Sequence, residues 1–166
     1  MAMADEMVST LNHYVQELFA GNAKIDNLYY NLKYKGYNNL ADAIHEPVAH
    51  VMGELADRVT DMMDQNDARP VRYGLSDEIE QLEPKACFEK LLEYFENLAK
   101  VTKQVIEKAD WAEEFEAKIF MEEFLNKYII PYKKQAREWK RAMDSLGAEN
   151  FNIHIKDYTH YISKEE

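Results

Sequence analysis

The segment KIDNLYYNLKYKG, residues 24–36, closes a long amphipathic pattern that begins near residue 8. Apolar side chains recur through this pattern at steps of three and four: Leu11, Val15, Leu18, Ile25, Leu28 and Leu32. This period predicts an α-helix of about seven turns over residues 8–35. Gly36 is typical of a helix C-terminus, and Asn38 with Asn39 predicts the N-cap of a following helix. We therefore expect two long helices joined by a short connection.

The predicted second helix carries an apolar face at Ile44, Val48, Val51, Leu55, Val59 and Met62. A polar stripe runs beside that face at the same spacing: Glu46, His50, Glu54, Asp57 and Asp61. Pro47 has two interpretations, because proline fits the first turn of a helix but kinks a helix interior. It marks either a helix that begins near Glu46 or a kink in a helix that begins at Asn39, and we favour the kink.

The helical pattern stops between residues 65 and 84, where turn-forming residues concentrate. Within this link, residues 76–82 begin with Ser-Asp-Glu, which predicts a short N-capped helix. A third long helix is predicted over residues 84–109, with an inward face that includes Phe88, Leu91, Phe95 and Leu98.

A fourth long helix is predicted to begin near Trp111, because Asp110 to Glu113 fits a variant of the capping box. Pro131 predicts a kink in its middle, and Gly147 predicts its end. Residues 147–166 form a polar and aromatic tail with no assigned structure. Four long helices with a crossing link predict an all-α, ferritin-like four-helix bundle. We expect a single domain of residues 1–166, with the bundle in about residues 8–146 and a short helix in the link.

The chain has 166 residues, a formal net charge of −11 and one cysteine, Cys87. A single cysteine excludes an internal disulfide or a thiolate zinc cluster, and we interpret Cys87 as a core thiol. The acidic charge argues against DNA as a partner, because phosphate binding needs an excess of Lys and Arg. The basic part of the fourth helix, residues 127–141, is therefore interpreted as a solvated face. Because no membrane-spanning run or secretory signal pattern is present, a cytoplasmic protein is expected.

The sequence resembles the Dps-type miniferritins, the small ferritin-like proteins of starved or oxidatively stressed bacteria. The resemblance rests on the order and spacing of several segments: residues 11–15 (LNHYV), residues 24–36, residues 54–59 (ELADRV), the short helix predicted in the link, and residues 110–112 (DWA). It implies a hollow shell of twelve subunits that oxidises ferrous iron, often with peroxide, and stores the ferric mineral inside. In that family the iron site lies at a two-fold interface between subunits.

The ligands of that family's iron site are largely replaced in this chain. The family's His-Trp pair reads Tyr29-Tyr30, and its second histidine reads Ala41. Asp57 matches the expected carboxylate, whereas Gly53 stands where an Asp is expected. Three of the four ligand positions therefore differ, and any iron site must use other residues.

The candidate metal ligands are the nearby imidazoles and carboxylates: His50, Glu54 and Asp57, with Asp26 and His45 opposite them across a two-fold axis. Non-haem iron accepts both ligand types. Two function classes remain open. The first is an iron-binding ferroxidase that stores mineral inside a homo-oligomeric shell. The second is a non-enzymatic ferritin-like shell or interaction protein without the di-iron site.

Larger ferritins and other di-iron bundles place Glu and Glu-x-x-His ligands inside the bundle. The inward positions predicted here are nearly all apolar, and the fourth helix offers only Glu122. A di-iron centre inside the bundle is therefore not expected.

Overall fold

The computed structural model describes residues 2–73 and 81–162 of the chain. Its α-helices are α1 (Asp5–Tyr34), α2 (Asn38–Ile44), α3 (Val51–Gln65), α4 (Pro84–Trp111), α5 (Phe115–Phe124) and α6 (Ile130–His154). Two π-helical stretches join some of them end to end. The first π segment, His45–His50, connects α2 to α3, and the second π segment, Leu125–Ile129, connects α5 to α6. The chain therefore forms four long helices, as predicted.

The four long helices bury one continuous apolar core. Helix α1 packs against α3 and the first π segment, α4 packs against α5 and α6, and α1 also packs against α4. The largest fully buried side chains include Trp139, Tyr14, Phe88, Phe95, Phe124 and Phe151. None of the helices in the described part of the chain has the length and apolar character needed to cross a membrane. These contacts give the four-helix bundle that the sequence predicts.

Helix α1 ends at the predicted glycine. Gly36 adopts a left-handed φ of 87°, its N–H bonds to the Lys33 carbonyl at 3.0 Å, and the N–H of Tyr37 bonds to the Leu32 carbonyl at 2.9 Å. This pair of hydrogen bonds is the Schellman motif, which satisfies carbonyls left free at a helix end. The chain reverses there and begins α2 at Asn38, so the short connection is confirmed.

Both prolines predicted to kink a helix are associated with a π segment. Pro47 lies inside the first π segment and Pro131 lies at the start of α6, directly after the second. A proline inside an α-helix removes a hydrogen bond and clashes with a carbonyl one turn earlier, and widening the helix locally accommodates it. The carbonyl of Pro47 accepts a hydrogen bond of 2.7 Å from the Tyr132 hydroxyl. The first turn of α6 is therefore hydrogen-bonded to the first π segment.

The start of the crossing link is attached to α1 by one buried amide. The side chain of Asn12 donates to the Arg69 carbonyl at 3.1 Å and accepts from the Val71 N–H at 2.8 Å. The short helix predicted at residues 76–82 falls mostly on residues 74–80, which lie outside the described part of the chain. Gln81 and Leu82, at its predicted end, are not helical.

The fourth long helix starts later than the sequence predicts. Asp110 and Trp111 form the last residues of α4, and α5 begins at Phe115. The reversal occurs between them because Glu113 takes a left-handed φ of 58°. The capping-box interpretation of residues 110–113 was therefore wrong. Asp110 instead accepts a hydrogen bond of 2.9 Å from Lys118 across the turn.

The tail that the sequence left unassigned is folded onto the bundle. Gly147 interrupts α6 with φ 79° and ψ 164°, after which helical structure resumes to His154 and continues as the 3₁₀ turn Ile155–Tyr158. Gln135, which is fully buried, donates to the Tyr158 carbonyl and accepts from the N–H groups of His160 and Tyr161. One buried glutamine thus fixes the position of the tail.

Candidate metal site

The interior of the bundle is packed with apolar and aromatic side chains. Among the described residues, the buried polar side chains are Asn12, Thr102 and Gln135. The Tyr14 hydroxyl bonds to the Thr102 hydroxyl at 2.7 Å, and Thr102 in turn donates to the Leu98 carbonyl at 2.6 Å. A di-iron centre inside the bundle needs several inward carboxylates, and no described Asp or Glu side chain is fully buried in the core. The interior therefore does not fit that group.

A tyrosine occupies the space beside α1 inside the bundle. The ring of Tyr94 lies against Gly21, where an added Cβ would collide with the ring and its hydroxyl. The Tyr94 hydroxyl donates to the Glu17 carbonyl at 2.9 Å. Burial raises the pKa of Tyr94 well above its ordinary value, and the pKa of Tyr14 is also raised by burial. Both hydroxyls are therefore neutral packing groups at physiological pH.

A cluster of possible metal ligands lies outside the core, where α1 meets the first π segment. Asp26, His45 and His50 each offer one ligand atom, and these atoms all lie within 4.8 Å of one another. Ligand atoms around a tetrahedral ion with bonds of about 2.1 Å stand about 3.4 Å apart. The three side chains therefore need only small movements to reach a common ion. We call them the Asp–His–His cluster.

The first π segment brings the two histidines together. Residues five apart in an α-helix point about 140° away from each other. In a π-helix, the hydrogen bonds join residues five apart, so such residues lie on the same side. His45 and His50 are the two ends of the π segment, and their ring centroids are 4.4 Å apart. The local backbone geometry is therefore what forms the pair.

The orientation of His45 is fixed by an aromatic neighbour. Its ring stacks on Tyr29, with centroids 4.0 Å apart and planes 8° from parallel. The Tyr29 hydroxyl accepts a hydrogen bond of 3.2 Å from Lys33. A third side chain, Glu46, contacts both imidazoles: its carboxylate accepts from Nδ1 of His50 at 3.1 Å and lies 3.9 Å from Nδ1 of His45.

The carboxylate of Asp26 is partly buried, and one of its two oxygens has no hydrogen bond. Its Oδ1 atom is inaccessible to solvent and has no hydrogen-bond partner. An unpaired buried carboxylate oxygen costs free energy, and a cation beside it would remove that cost. The orphaned oxygen is therefore an observation, independent of the spacing, that the cluster suits a metal ion.

The structure groups three of the five sequence-predicted ligands. Asp26, His45 and His50 meet within one chain, whereas the sequence interpretation placed His50 on the opposite side of an interface from the other two. Glu54 and Asp57 lie at exposed positions of α3 outside the cluster, and their role as ligands stays a prediction. Glu54 does act on Tyr132, whose pKa rises to about 12 through burial and the nearby negative charge.

Comparison with known proteins identifies the fold of the chain. No protein-family model and no curated sequence matches it. An open-pore ferritin of the hyperthermophilic archaeon Archaeoglobus fulgidus matches with a TM-score of 0.85 and 15% identity, over 95% of this chain and 96% of that chain. A closed form engineered from the A. fulgidus ferritin gives 0.85 and 15%, over 95% and 97%. A humanized archaeal ferritin gives 0.84 and 15%, over 95% and 98%.

The match extends over nearly the whole of both chains, and four long helices with a crossing link account for it. The protein therefore has the ferritin-like four-helix bundle fold. At 15% identity the likeness concerns the fold, and the chemistry must be argued from this chain's own side chains.

Proposed function

We propose that the protein is a subunit of a ferritin-like shell that binds ferrous iron at the Asp–His–His cluster. The observation that carries this proposal is the convergence of Asp26, His45 and His50, whose ligand atoms lie within 4.8 Å of one another. Two histidines and one carboxylate are the ligand set of many non-haem Fe(II) sites. Three protein ligands leave coordination positions for water or an oxidant.

The negative charge of Asp26 and of the whole chain also supports the binding of Fe²⁺. Fe²⁺ needs negative ligands to offset its own charge, and the carboxylate oxygen of Asp26 lacks any hydrogen-bond partner. The net charge of −11 raises the local concentration of cations around the whole protein. Because two of the three donors are nitrogens, the cluster favours Fe²⁺ or Zn²⁺ over Mg²⁺ and Ca²⁺, which prefer oxygen.

Exposed apolar side chains support assembly of the chain into a homo-oligomer. Tyr34 and Trp111 are 92% and 90% exposed. Phe115, Ile119 and Ile153 are also largely exposed. Exposed apolar surface of this kind is typical of interfaces. The solved structures that share the fold are ferritins, and a hollow shell follows for this chain if it assembles as they do.

The Dps-type resemblance makes the proposal more specific. It implies twelve subunits, ferroxidase activity and a role in oxidative or starvation stress in the cytoplasm. It also implies that Asp57 of a neighbouring subunit supplies a further ligand to the iron site, and Glu54, beside the unmatched Gly53, is the candidate substitute for the missing Asp. Light-scattering mass tests the shell, and ferrous oxidation with peroxide on the same sample tests the activity. A 19.5 kDa monomer at micromolar concentration would remove the shell.

Metal-dependent stability tests the site. Binding to the folded state alone stabilises it by about 2.7 kcal/mol at a ligand concentration of 100 Kd. We expect anaerobic Fe²⁺ or Zn²⁺ to raise the melting temperature of the wild type and to have no effect on His45→Ala/His50→Ala. The control is His13→Ala/His154→Ala, which removes two histidines outside the cluster and should keep the rise.

The double variant Glu54→Ala/Asp57→Ala tests whether these two acids are also metal ligands. If metal still raises the melting temperature of this variant, Asp26, His45 and His50 are sufficient to bind the ion. If it loses the rise in the assembled protein, the two acids are also ligands. If the wild type itself shows no rise, the iron-binding proposal is wrong.

A non-enzymatic shell or interaction protein is the second candidate function. The observation that favours it is the aromatic interior, in which Tyr94 packs against Gly21 and no described Asp or Glu side chain is fully buried. An assembled shell without any metal-dependent rise in melting temperature would establish this alternative.

A further inference from the structure

The carboxylate of Glu46 is shared by the two histidines of the Asp–His–His cluster. Its Oε2 lies 3.1 Å from Nδ1 of His50, and its Oε1 lies 3.9 Å from Nδ1 of His45. Each carboxylate oxygen therefore faces the same ring atom of a different imidazole. Glu46 belongs to the polar stripe predicted from the sequence but was not among the candidate metal ligands.

We infer that Glu46 is a positioning residue that holds the His50 imidazole with Nδ1 towards its carboxylate and Nε2 available to a metal ion. An ionised carboxylate only accepts hydrogen bonds, so the Nδ1 atom it contacts must carry the proton. In a neutral imidazole the other nitrogen, Nε2, is then the unprotonated one and can bind a metal. This inference rests on the proposed function, because it concerns ligands of the proposed iron site.

The ring of His45 is restricted by its aromatic neighbours. Tyr29 covers one face of the ring at a centroid distance of 4.0 Å. His50 meets the ring edge-to-face at 4.4 Å. Stacking fixes the plane of the imidazole but not which nitrogen carries the proton, since both nitrogens lie in that plane. At 3.9 Å from Nδ1 of His45, the Glu46 carboxylate makes no hydrogen bond to that ring and acts on it only through its charge.

Backbone geometry explains why one acid reaches both rings. Glu46 follows His45 directly and precedes His50 by four residues, inside the same π segment. Because the π segment brings residues 45 and 50 to one side, a carboxylate next to the first can also reach the second. Histidine ligands commonly donate their second ring N–H to a carboxylate, and loss of that partner typically costs 10–100-fold in metal affinity.

The test compares Glu46→Ala and Glu46→Gln with the wild type. The alanine variant removes both contacts, whereas glutamine keeps one oxygen that can accept from an Nδ1–H. Asp61→Ala is the matched control, because it removes one negative charge from an exposed position of the same long helix without a contact to either histidine. We expect Zn²⁺ affinity to fall about 10–100-fold in Glu46→Ala, less in Glu46→Gln, and by less than about twofold in Asp61→Ala because exposed charges are screened.

A second readout, taken without metal, separates positioning from simple loss of charge. Nitrogen NMR of the imidazoles in the metal-free protein near pH 8 reports which nitrogen carries the proton. We expect His50 to hold its proton on Nδ1 in the wild type and in Glu46→Gln, and to shift towards Nε2 in Glu46→Ala. Asp61→Ala should match the wild type.

The outcomes separate this inference from the proposed function. If the wild type binds Zn²⁺ and Glu46→Ala binds equally well with an unchanged tautomer, Glu46 positions nothing. If Ala and Gln lose affinity equally and the His50 tautomer stays on Nδ1 in both, Glu46 is itself a ligand and positioning is wrong. If the wild type binds no metal, the proposed function fails, and a role of Glu46 towards a metal fails with it.

Discussion

The bundle interior and the region of the first π segment differ in how fully their polar groups are hydrogen-bonded. Inside, the Tyr14 and Tyr94 hydroxyls each have a protein partner, at 2.7 Å and 2.9 Å. At the first π segment, Asp26 keeps a buried oxygen without a partner and two imidazoles lie side by side. A satisfied polar group adds stability, whereas an unsatisfied one costs stability and is available to a ligand. We therefore assign a structural role to the interior and propose the surface cluster as the metal site.

The largest expected effect tests the interior half of this comparison. Gly21→Ala places a methyl group against the Tyr94 ring and forces the hydroxyl away from the Glu17 carbonyl. Overpacking and a lost buried hydrogen bond together should lower the free energy of unfolding by about 3 kcal/mol. Chemical denaturation measures the loss. Zn²⁺ binding by the folded protein should not change.

Gly53→Ala is the control for this substitution. Its added Cβ would meet only the end of the Asn22 side chain, at 3.2 Å, and alanine favours a helix over glycine. We expect a change within about 1 kcal/mol. An equally small change in Gly21→Ala would mean that the Tyr94 ring moves freely and that the interior is not tightly packed.

The second prediction tests the hydrogen bond that joins the two regions. Tyr132→Phe removes the hydroxyl that donates to the Pro47 carbonyl in the first π segment. The free energy of unfolding should fall by about 2 kcal/mol, and Zn²⁺ affinity should fall a few-fold because the π segment is held less firmly. Tyr34→Phe, at a position 92% exposed, should change neither quantity. If Zn²⁺ affinity is unaffected in Tyr132→Phe, the cluster is independent of the interior.

The third prediction concerns a substitution that should stabilise the metal-free protein instead of destabilising it. In the absence of metal, Asp26→Ala removes a carboxylate oxygen that is buried without a partner, so the protein should become more stable by about 1 kcal/mol. The wild type should overtake it when Zn²⁺ is added, because only the wild type gains binding energy. Melting curves with and without Zn²⁺ measure both effects, and Asp42→Ala, at an exposed position of α2, is the control. A metal-free Asp26→Ala variant that is less stable than the wild type would show that the carboxylate has a structural role.

The four long helices could be predicted from the sequence because apolar spacing and helix ends are local signals. Gly36 ends α1 as predicted, and Pro47 and Pro131, each predicted to kink a helix, lie in or just after a π segment. The predicted start of the fourth helix was wrong, because a capping-box pattern at residues 110–113 and the C-terminal turn of α4 use similar residues. The docking of the tail was missed, since it depends on Gln135, a contact distant in sequence.

The candidate site could be predicted only in part. Asp26, His45 and His50 were all candidates, but the pairing of His45 with His50 was missed. A search at steps of three and four assumes α-helical geometry, and residues five apart meet only in a π segment. Pro47, eight residues after the start of a predicted helix that also holds two histidines, was the signal that such a pairing could occur. The role of Glu46 was missed although Glu46 and His50 stand four residues apart in the predicted polar stripe.

The smallest expected effect returns to the interior and depends on pH. Burial raises the pKa of the Cys87 thiol from 9.0 to about 12, with a smaller contribution from the charge of Glu83. In the unfolded chain the thiol ionises near its ordinary pKa, while in the folded protein it keeps its proton until about pH 12. The stability that the neutral thiol contributes is therefore complete below about pH 9 and is lost as the pH rises towards 12.

Cys87→Ala removes both the packing of the sulfur and this pH dependence. At pH 7 the variant should be less stable than the wild type by about 1 kcal/mol, because a small cavity remains in the core. At pH 10 the difference should shrink, since only the wild type loses stability through ionisation of the unfolded thiol. Ionisation of the buried tyrosines affects both proteins equally and cancels in the comparison. Denaturation curves at the two pH values measure the difference, and Zn²⁺ binding should be the same in both proteins. An unchanged difference between pH 7 and pH 10 would show that the thiol ionises as easily in the folded core as in water, and that this part of the interior is open to solvent.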